Sequence, residues 1–438
     1  MNGDEGEASK VPAQGTAWKK RFFTIWSGQA ASLFGSQLIQ FALVWWLTME
    51  TGSAAVLATA AAMAYIPHIL LGPIAGAIVD RWPRKQVMIV ADSGIAVATL
   101  VLIALFALSI VEPWHIFALL AVRSAGGSFH WPAMTAATSM MVPEEHLSRV
   151  GGLNQALQGL SGIVAPPVGA ILIAFLPMQG VLSIDIMTAI IAIIPLLVLH
   201  IPEPVKGESK KGVRATYDDM KEGFRFLRRW PGALAVIGIV VMLNFVFAPV
   251  DALLPLLVTE RFGGDAVDFA TISAAVCAGI LVGGLILAVW GGTKRRIATA
   301  LIGLLVSGVS VLAMGLCPPD GFVFATGAIF VAGLVISIAN GSFSAIMQAA
   351  IPKAMQGRVF ALTGSAAMSA APLGLIVGAP ISEAFGVHSM YVVSGIAMIA
   401  LCAFALTMPS VLRFEEQGRT EASPSSSACP VPSSPEDH

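Results

Sequence analysis

Gly76-Ala77-Ile78-Val79-Asp80-Arg81-Trp82-Pro83-Arg84-Lys85 stands between two apolar stretches, 54–79 and 86–110. Each stretch exceeds the roughly 20 residues that an α-helix needs to cross a bilayer. The segment therefore reads as a short loop joining two spanning helices, with its charges gathered in the second half. A residue as small as Gly76 allows another helix to come close. Asp80 sits at a helix end with Arg81, Arg84 and Lys85 beside it, so it can form a charge latch between helices in one conformational state. The plainer reading is a basic loop that only sets orientation in the membrane.

The rest of the chain repeats this pattern. Of its 438 residues, 56% are hydrophobic and 12% are charged, against about 25% charged in a soluble domain. Twelve apolar stretches are long enough to span: 22–48, 54–79, 86–110, 114–141, 151–176, 183–201, 233–258, 268–291, 297–316, 322–347, 358–384 and 387–408. Cytoplasmic loops retain Lys and Arg. With a cytoplasmic N-terminus, every Lys and Arg lies on that side except Arg261, which falls outside, and Arg123, which falls inside a span. The expected fold is all-α: a polytopic membrane protein with both termini in the cytoplasm. The expected divisions are an N-terminal segment 1–20, a six-helix bundle 21–201, a linker 202–232, a second bundle 233–408 and a disordered tail 409–438. In the linker, Met220, Phe224 and Leu227 recur at helical spacing among charges, the pattern of an interfacial amphipathic helix. The tail is rich in Ser, Pro and Glu.

The two bundles are related in sequence. Val142-Pro143 through Arg149-Val150 matches Ile351-Pro352 through Arg358-Val359 at an offset of 209 residues, and the same offset carries Gly169-Ala170 onto Gly378-Ala379. A duplicated six-helix unit with a site between the repeats is the logic of a transporter.

Other classes fit poorly. The basic residues are scattered over short loops without interleaved aromatics, which argues against nucleic-acid binding. Cys277, Cys317, Cys402 and Cys429 form no CxxC pair, so neither a zinc site nor a disulfide framework is expected. Lys19-Lys20-Arg21 reads as the flank of a retained first span rather than of a cleaved signal. No G-x-x-x-x-G-K-[ST] loop occurs, so a bound nucleotide is not the expected energy source, and no metal or other cofactor is implied.

Gly76, Asp80, Arg81, Arg84 and Lys85 resemble the loop motif of the major facilitator superfamily, G-x-x-x-D-R-x-G-R-[RK], with Pro83 in place of the second glycine. Arg123-Ser124-Ala125-Gly126-Gly127 resembles the family motif of span four, and the resemblance implies a part for Arg123 in proton coupling. A structural arginine bound to carbonyls and an acid is the alternative. Ser161-Gly162-Ile163-Val164-Ala165-Pro166-Pro167-Val168-Gly169-Ala170 partly resembles the antiporter motif G-x-x-x-G-P-x-x-G-G, with Ser161, Ala165 and Ala170 replacing glycines. Read without the resemblance, it is a close-packed, bendable helix. Ile25 to Ala30, Asp80 to Lys85 with Asp92, Arg123 to Pro132, Val142 to Glu145 and Gly357 to Leu362 resemble the macrolide-efflux (Mef-type) branch, from about residue 20 to 408.

Few acids lie within the spans. Asp92, Asp185 and Asp251 are the candidates for proton coupling with Arg123, because a charge at membrane depth is costly and defaults to a functional hypothesis. Asp92 reads equally as a fixed partner of the basic loop, and Asp185 and Asp251 as acids facing outer water. His68 and His130 are alternative proton carriers, with hydrogen-bonded packing as the plainer reading of each. The polar residues Gln29, Gln37, Gln40, His130, Asn154, Gln158, Asn244 and Asn340, with Trp131 for stacking, are the candidate lining of a substrate cavity. Gln29, Gln37 and Gln40 are expected near one face of span one. The resemblance implies a secondary active exporter of hydrophobic or amphipathic drugs, macrolides above all, driven by proton antiport. The rivals are export of a siderophore or other metabolite, and, from another class, a membrane enzyme or a non-transporting receptor. No clustered nucleophile or metal set favours an enzyme.

Overall fold

The computed structural model describes residues 17–79, 82–199, 201, 221, 224, 225, 227, 228, 231–293, 295–351 and 353–412. Among these residues there are helices and no strands. The first half holds α1 (Ala17–Thr51), α2 (Ala54–Val79), α3 (Arg84–Ala107), α4 (Pro113–Met141), α5 (Glu144–Phe175) and α6 (Met178–Val198). The second holds α7 (Pro231–Ala252), α8 (Leu254–Phe262), α9 (Ala266–Trp290), α10 (Arg296–Leu316), α11 (Phe322–Ala350), α12 (Lys353–Phe385), α13 (Val387–Thr407) and α14 (Pro409–Leu412). Setting aside the short α8 and α14, all except α4 contain a stretch long and apolar enough to cross a membrane. In α4 the run is diluted by Arg123, Ser124, Ser128 and His130.

Three expected boundaries shift. Span seven is not one helix to residue 258: Pro249 lacks the N–H that would hold the Phe245 carbonyl, Leu253 leaves helical geometry, and Pro255 starts α8 in the first turn, where proline is tolerated. Helix α1 begins at Ala17, inside the segment assigned to 1–20. The C-terminal bundle runs past residue 408 into α14, whose Val411 is fully buried. The remainder of the tail and most of the linker lie outside the described residues. Within the linker, 221, 224, 225, 227 and 228 are helical, with Leu227 buried and Phe224 exposed.

Helices α1–α6 pack mainly among themselves: α1 against α5 and α6, α2 against α4, and α3 against α4 and α6. In the second half α9 packs on α11, α10 on α11 and α13, and α7 on α12. The halves meet where α5 lies against α9 and α2 against α12. Their contacts concentrate at the end that carries Gly52 and Gly386. There Phe269 stacks on Phe41 at 4.8 Å and on Trp45 at 5.8 Å. Glu383 at the end of α12 accepts hydrogen bonds from the Ser53 hydroxyl and the Ala55 amide at the start of α2, both 3.2 Å.

The bundles are built differently. In the first, the apolar core is cut in two. One part, around Leu38, Leu102, Ile116 and Leu182, lies toward the Gly52 end. The other, around Phe22, Met88, Ala137 and Leu196, lies toward the termini. Between them along the same helices come Gln29, Asp92, Thr99, Arg123, Ser128 and Asp185. The second bundle shows no such division, and its buried residues from Val236 to Val411 join one cluster.

Small residues set the second bundle's spacing. A Cβ on Gly279 or Gly283 of α9 would strike the Phe330 or Leu334 carbonyl of α11, and one on Gly374 of α12 would strike the Phe245 carbonyl of α7. That carbonyl is the one left open by Pro249. Gly374→Val is therefore expected to force α12 from α7, at a cost of about 1–3 kcal/mol, and to lower the unfolding temperature in detergent. Gly364→Ala on the same helix meets nothing within 4 Å and is expected to leave it unchanged or raised. Equal melting of Gly374→Val and wild type would refute the close-approach account.

Candidate functional site

Four helices of the first bundle are tied together at Arg123. Its Nη1 donates to Asp185 Oδ2 at 2.7 Å and its Nη2 to the Ser36 carbonyl at 3.3 Å. Thr99 Oγ1 donates to the same Asp185 oxygen at 2.9 Å. The arrangement joins α1, α3, α4 and α6, and both charged side chains are nearly closed off from solvent. Asp185 is thus not an acid facing outer water, because it is buried against a guanidinium. Removing one partner of a buried pair strands the other and costs about 3–5 kcal/mol.

About two turns toward the termini, Asp92 accepts from Gln29 Nε2 at 3.4 Å. His130 Nε2 stands 3.5 Å from the other Asp92 oxygen, within ion-pair distance. The alignment does not make a hydrogen bond, and that nitrogen is buried without a partner. A third seam joins α4 to α2: Ser124 donates to the Ala64 carbonyl at 2.6 Å, and Ser128 lies 3.3 Å from His68 Nδ1. Trp26 Nε1 donates to Asn154 at 2.8 Å, tying α1 to α5.

A cavity of about 550 Å³ is lined by Gln29, Asp92, Arg123, His130, Trp131, Asn154 and Gln158, with Asp185 and Thr99 behind Arg123 and outside the lining. The expected face of α4, made of Arg123, Gly127, His130 and Met134, is its wall. The lining continues through Thr138, Ser139, Leu147 and Val150 at the helix ends beside Pro143. The cavity therefore extends toward the end of the bundle that carries the termini, away from the end where the halves meet.

The remaining candidates fall elsewhere. Gln37 and Gln40 do not join Gln29: they line a separate cavity of about 330 Å³ between the two halves, with Tyr65, Pro166, Asp251 and Cys277. The three glutamines span three turns of α1, and the polar layer separates the first from the other two. Asn244 and Asn340 line a third, apolar cavity of about 270 Å³ within the second bundle. The expected single substrate cavity is thus divided among three in this conformation.

The loop motif is also rearranged. Asp80 and Arg81 lie outside the described residues. A Cβ on Gly76 would meet nothing within 4 Å, so that glycine supports no close approach here. Lys85 Nζ donates to the Leu197 and Leu199 carbonyls at 3.0 and 3.1 Å, capping the C-terminal end of α6 where a cation is favoured. Arg84 Nε is buried and unpaired. In the motif of α5, Ser161 and Ala165 are buried, Pro166 lines the cavity between the halves, and Gly169 packs on Phe41 of α1. The sequence does not single out Thr99 or Glu383. Thr99 had a signal, since it stands two helical turns after Asp92 on the same face. Glu383 had none, because its partners are 330 and 328 residues away.

The pattern of the Major Facilitator Superfamily matches residues 25–375. The chain belongs to that superfamily. It is 35% identical over 385 residues to "Macrolide efflux protein A" of Streptococcus pyogenes, covering 88% of this chain and 95% of that protein. It is 28% identical over 379 residues to "Multidrug efflux pump Tap" of Mycolicibacterium fortuitum, covering 83% and 90%. Among solved structures, a bacterial homologue of the human lysosomal transporter Spinster superposes with a TM-score of 0.68 at 13% identity, covering 93% of this chain and 98% of that one. A bacterial homologue of the iron transporter ferroportin gives 0.68 at 15% identity, covering 92% and 99%. The chain is a multi-pass membrane protein with the fold of a transporter.

The Glu383 contacts cross between the halves at the closed end, so they hold that end shut. Glu383→Ala removes both hydrogen bonds and the favourable carboxylate at the start of α2, worth about 0.3–1 kcal/mol. Spin labels at Met49 and Phe385, both exposed, are expected to report a larger share of long distances in this variant. A distance distribution identical to wild type would deny Glu383 a part in closure.

Proposed function

We propose that the chain exports hydrophobic, amphipathic drugs, macrolides first among them, by proton antiport with alternating access. The observation that carries this reading is the 35% identity to "Macrolide efflux protein A" across nearly the whole of both proteins. The cavity of the first bundle supports it: its walls are largely apolar, with a few polar anchors, which suits large amphipathic ligands. The location we assign is the cell membrane, with both termini in the cytoplasm, on the strength of the Lys and Arg distribution. In that orientation the structure corresponds to the inward-open state, closed at the outer end.

Coupling in this reading runs through the polar layer. A proton entering by the cavity meets Asp92 and His130 first, and Arg123 lies further along the same wall with Asp185 paired to it. Rearrangement of the α1, α3, α4 and α6 contacts connects proton occupancy to the opening of the bundle, as reciprocal linkage between proton and drug requires. The loop from Gly76 to Lys85 acts as the latch of one state, with Lys85 engaged on α6 here. The motif of α5 provides the close-packed, bendable contact between halves.

The deciding measurement is accumulation of radiolabelled erythromycin in a pump-deficient bacterium expressing the chain. Accumulation is expected to fall, and to return to the control level when an uncoupler collapses the proton gradient. Arg123→Ala is expected to abolish uphill efflux. Arg123→Lys is expected to keep a fraction, since lysine retains the charge but loses the planar fork. Export that persists undiminished with the uncoupler would remove antiport.

Orientation has its own test. Cysteines at Glu112 and Gly386 are expected to react with an impermeant maleimide on intact cells, and one at Gly212 to stay unreactive. Labelling at Gly212 would reverse the orientation.

A further inference from the structure

Three acids lie within the spans, and they are not in equivalent surroundings. Asp185 is closed upon Arg123 and Thr99. Asp92 is held by Gln29 with His130 alongside. Asp251, near the end of α7, makes no hydrogen bond or ion pair among the described residues, although its side chain is accessible to the cavity between the halves. That cavity lies beneath the closed end, since it is walled by Phe41 and Phe269, which stack to close it. No Lys, Arg or His lines it. A carboxylate at membrane depth without a cation is costly, and none of the described residues pairs with it. Around it stand the amides of Gln37 and Gln40, the phenol of Tyr65 and the two stacked phenylalanines. An anion beside aromatic faces, with neutral hydrogen-bonding groups at its flanks, is the chemistry that receives a substituted ammonium group.

We propose that Asp251 is the subsite for the protonated amine of the transported compound, located between the halves and separate from the Arg123 network. The inference rests on the efflux reading and deepens it, by giving the substrate class as amphipathic amines. It also assigns the bundles different tasks. The first holds its charges in internal pairs, and the second contributes one unpaired acid to the shared interface. The position suits alternating access, because α7 and α1 approach Asp251 from opposite halves, so a ligand bound there touches both.

The test is equilibrium binding to the purified full chain of two compounds. One is erythromycin, whose sugar bears a protonatable tertiary amine. The other is a derivative of it, demethylated and acylated at that nitrogen, which carries no charge. The wild-type chain is expected to prefer the amine by about tenfold or more, the range for a hydrogen bond to a charged group. Asp251→Asn is expected to abolish the preference by weakening the amine alone. Asp251→Glu is expected to keep it, which separates a charge requirement from a folding defect. An Asp251→Asn chain that still prefers the amine as wild type does would overturn the subsite while the efflux reading stood. Wild-type binding of both compounds with equal affinity would overturn it in the same way. Failure of the wild-type chain both to bind either compound and to lower erythromycin accumulation in cells would overturn the efflux reading and the subsite with it.

Discussion

Placing a guanidinium at the centre of a spanning helix costs about 3 kcal/mol even on the most lenient scale, and Arg123 cannot shed its charge. The cost is met by Asp185 at 2.7 Å and the Ser36 carbonyl at 3.3 Å. Meeting it fixes much else. Asp185 must come from α6 at the depth of Arg123 on α4, Thr99 of α3 must reach the same carboxylate oxygen, and the α1 backbone must turn the second lone pair of a helical carbonyl to the guanidinium. The register of four helices is set by one cation. The layer that results also divides the apolar core of the first bundle into two clusters. That leaves a largely apolar cavity with a few polar anchors on its terminal side, where Asp92 and His130 stand.

Among the described residues the second bundle has no ion pair, and its cohesion comes from close approach. Gly279, Gly283 and Gly374 bring helix backbones to distances at which a side chain would collide with a carbonyl. In a bilayer, where lipid is as apolar as leucine, such packing replaces the hydrophobic effect as the force between helices. Tyr391 adds a buried hydrogen bond from α13 to the Val250 carbonyl at 2.7 Å, just before the break at Leu253. The hydroxyl holds the end of α7 in place next to Asp251.

How much of this was legible depended on whether the signal was local. Spanning helices are written in runs of residues, and the twelve expected ones appear as long helices, except that Pro249 and Pro255 divide the seventh. The shared α4 face of Arg123, Gly127, His130 and Met134 follows from helical periodicity and was readable. What Arg123 binds was not, because depth in the membrane narrows the partner to three acids without choosing among them. Gln29, Gln37 and Gln40 show the opposite failure. Their spacing suggests a common face, but which face of α1 meets the other half changes along its length, and periodicity within one helix does not record that. The Gly76 loop was legible as a family feature, yet Lys85 turns to α6 carbonyls, an interaction that only tertiary structure creates.

The contacts that close the two halves are weak by comparison with those inside each bundle. An exposed carboxylate at a helix start contributes about 0.3–1 kcal/mol, and an aromatic pair about 0.5–1.5 kcal/mol beyond its buried area. The internal pair at Arg123 would cost about 3–5 kcal/mol to break. The polar and aromatic contacts of the seam are thus easier to break than the Arg123 pair, and motion is expected at the seam first. A ligand shifts such an equilibrium only by the difference in its affinity for the two states, about 1.4 kcal/mol for each tenfold. Beyond the packing of α5 on α9 and of α2 on α12, the seam is held by one clasp and a few stacked rings, so a single charged contact made in one state and lost in the other shifts the balance. Asp251 lines the cavity at that seam, so a cation arriving there acts on the boundary between the halves.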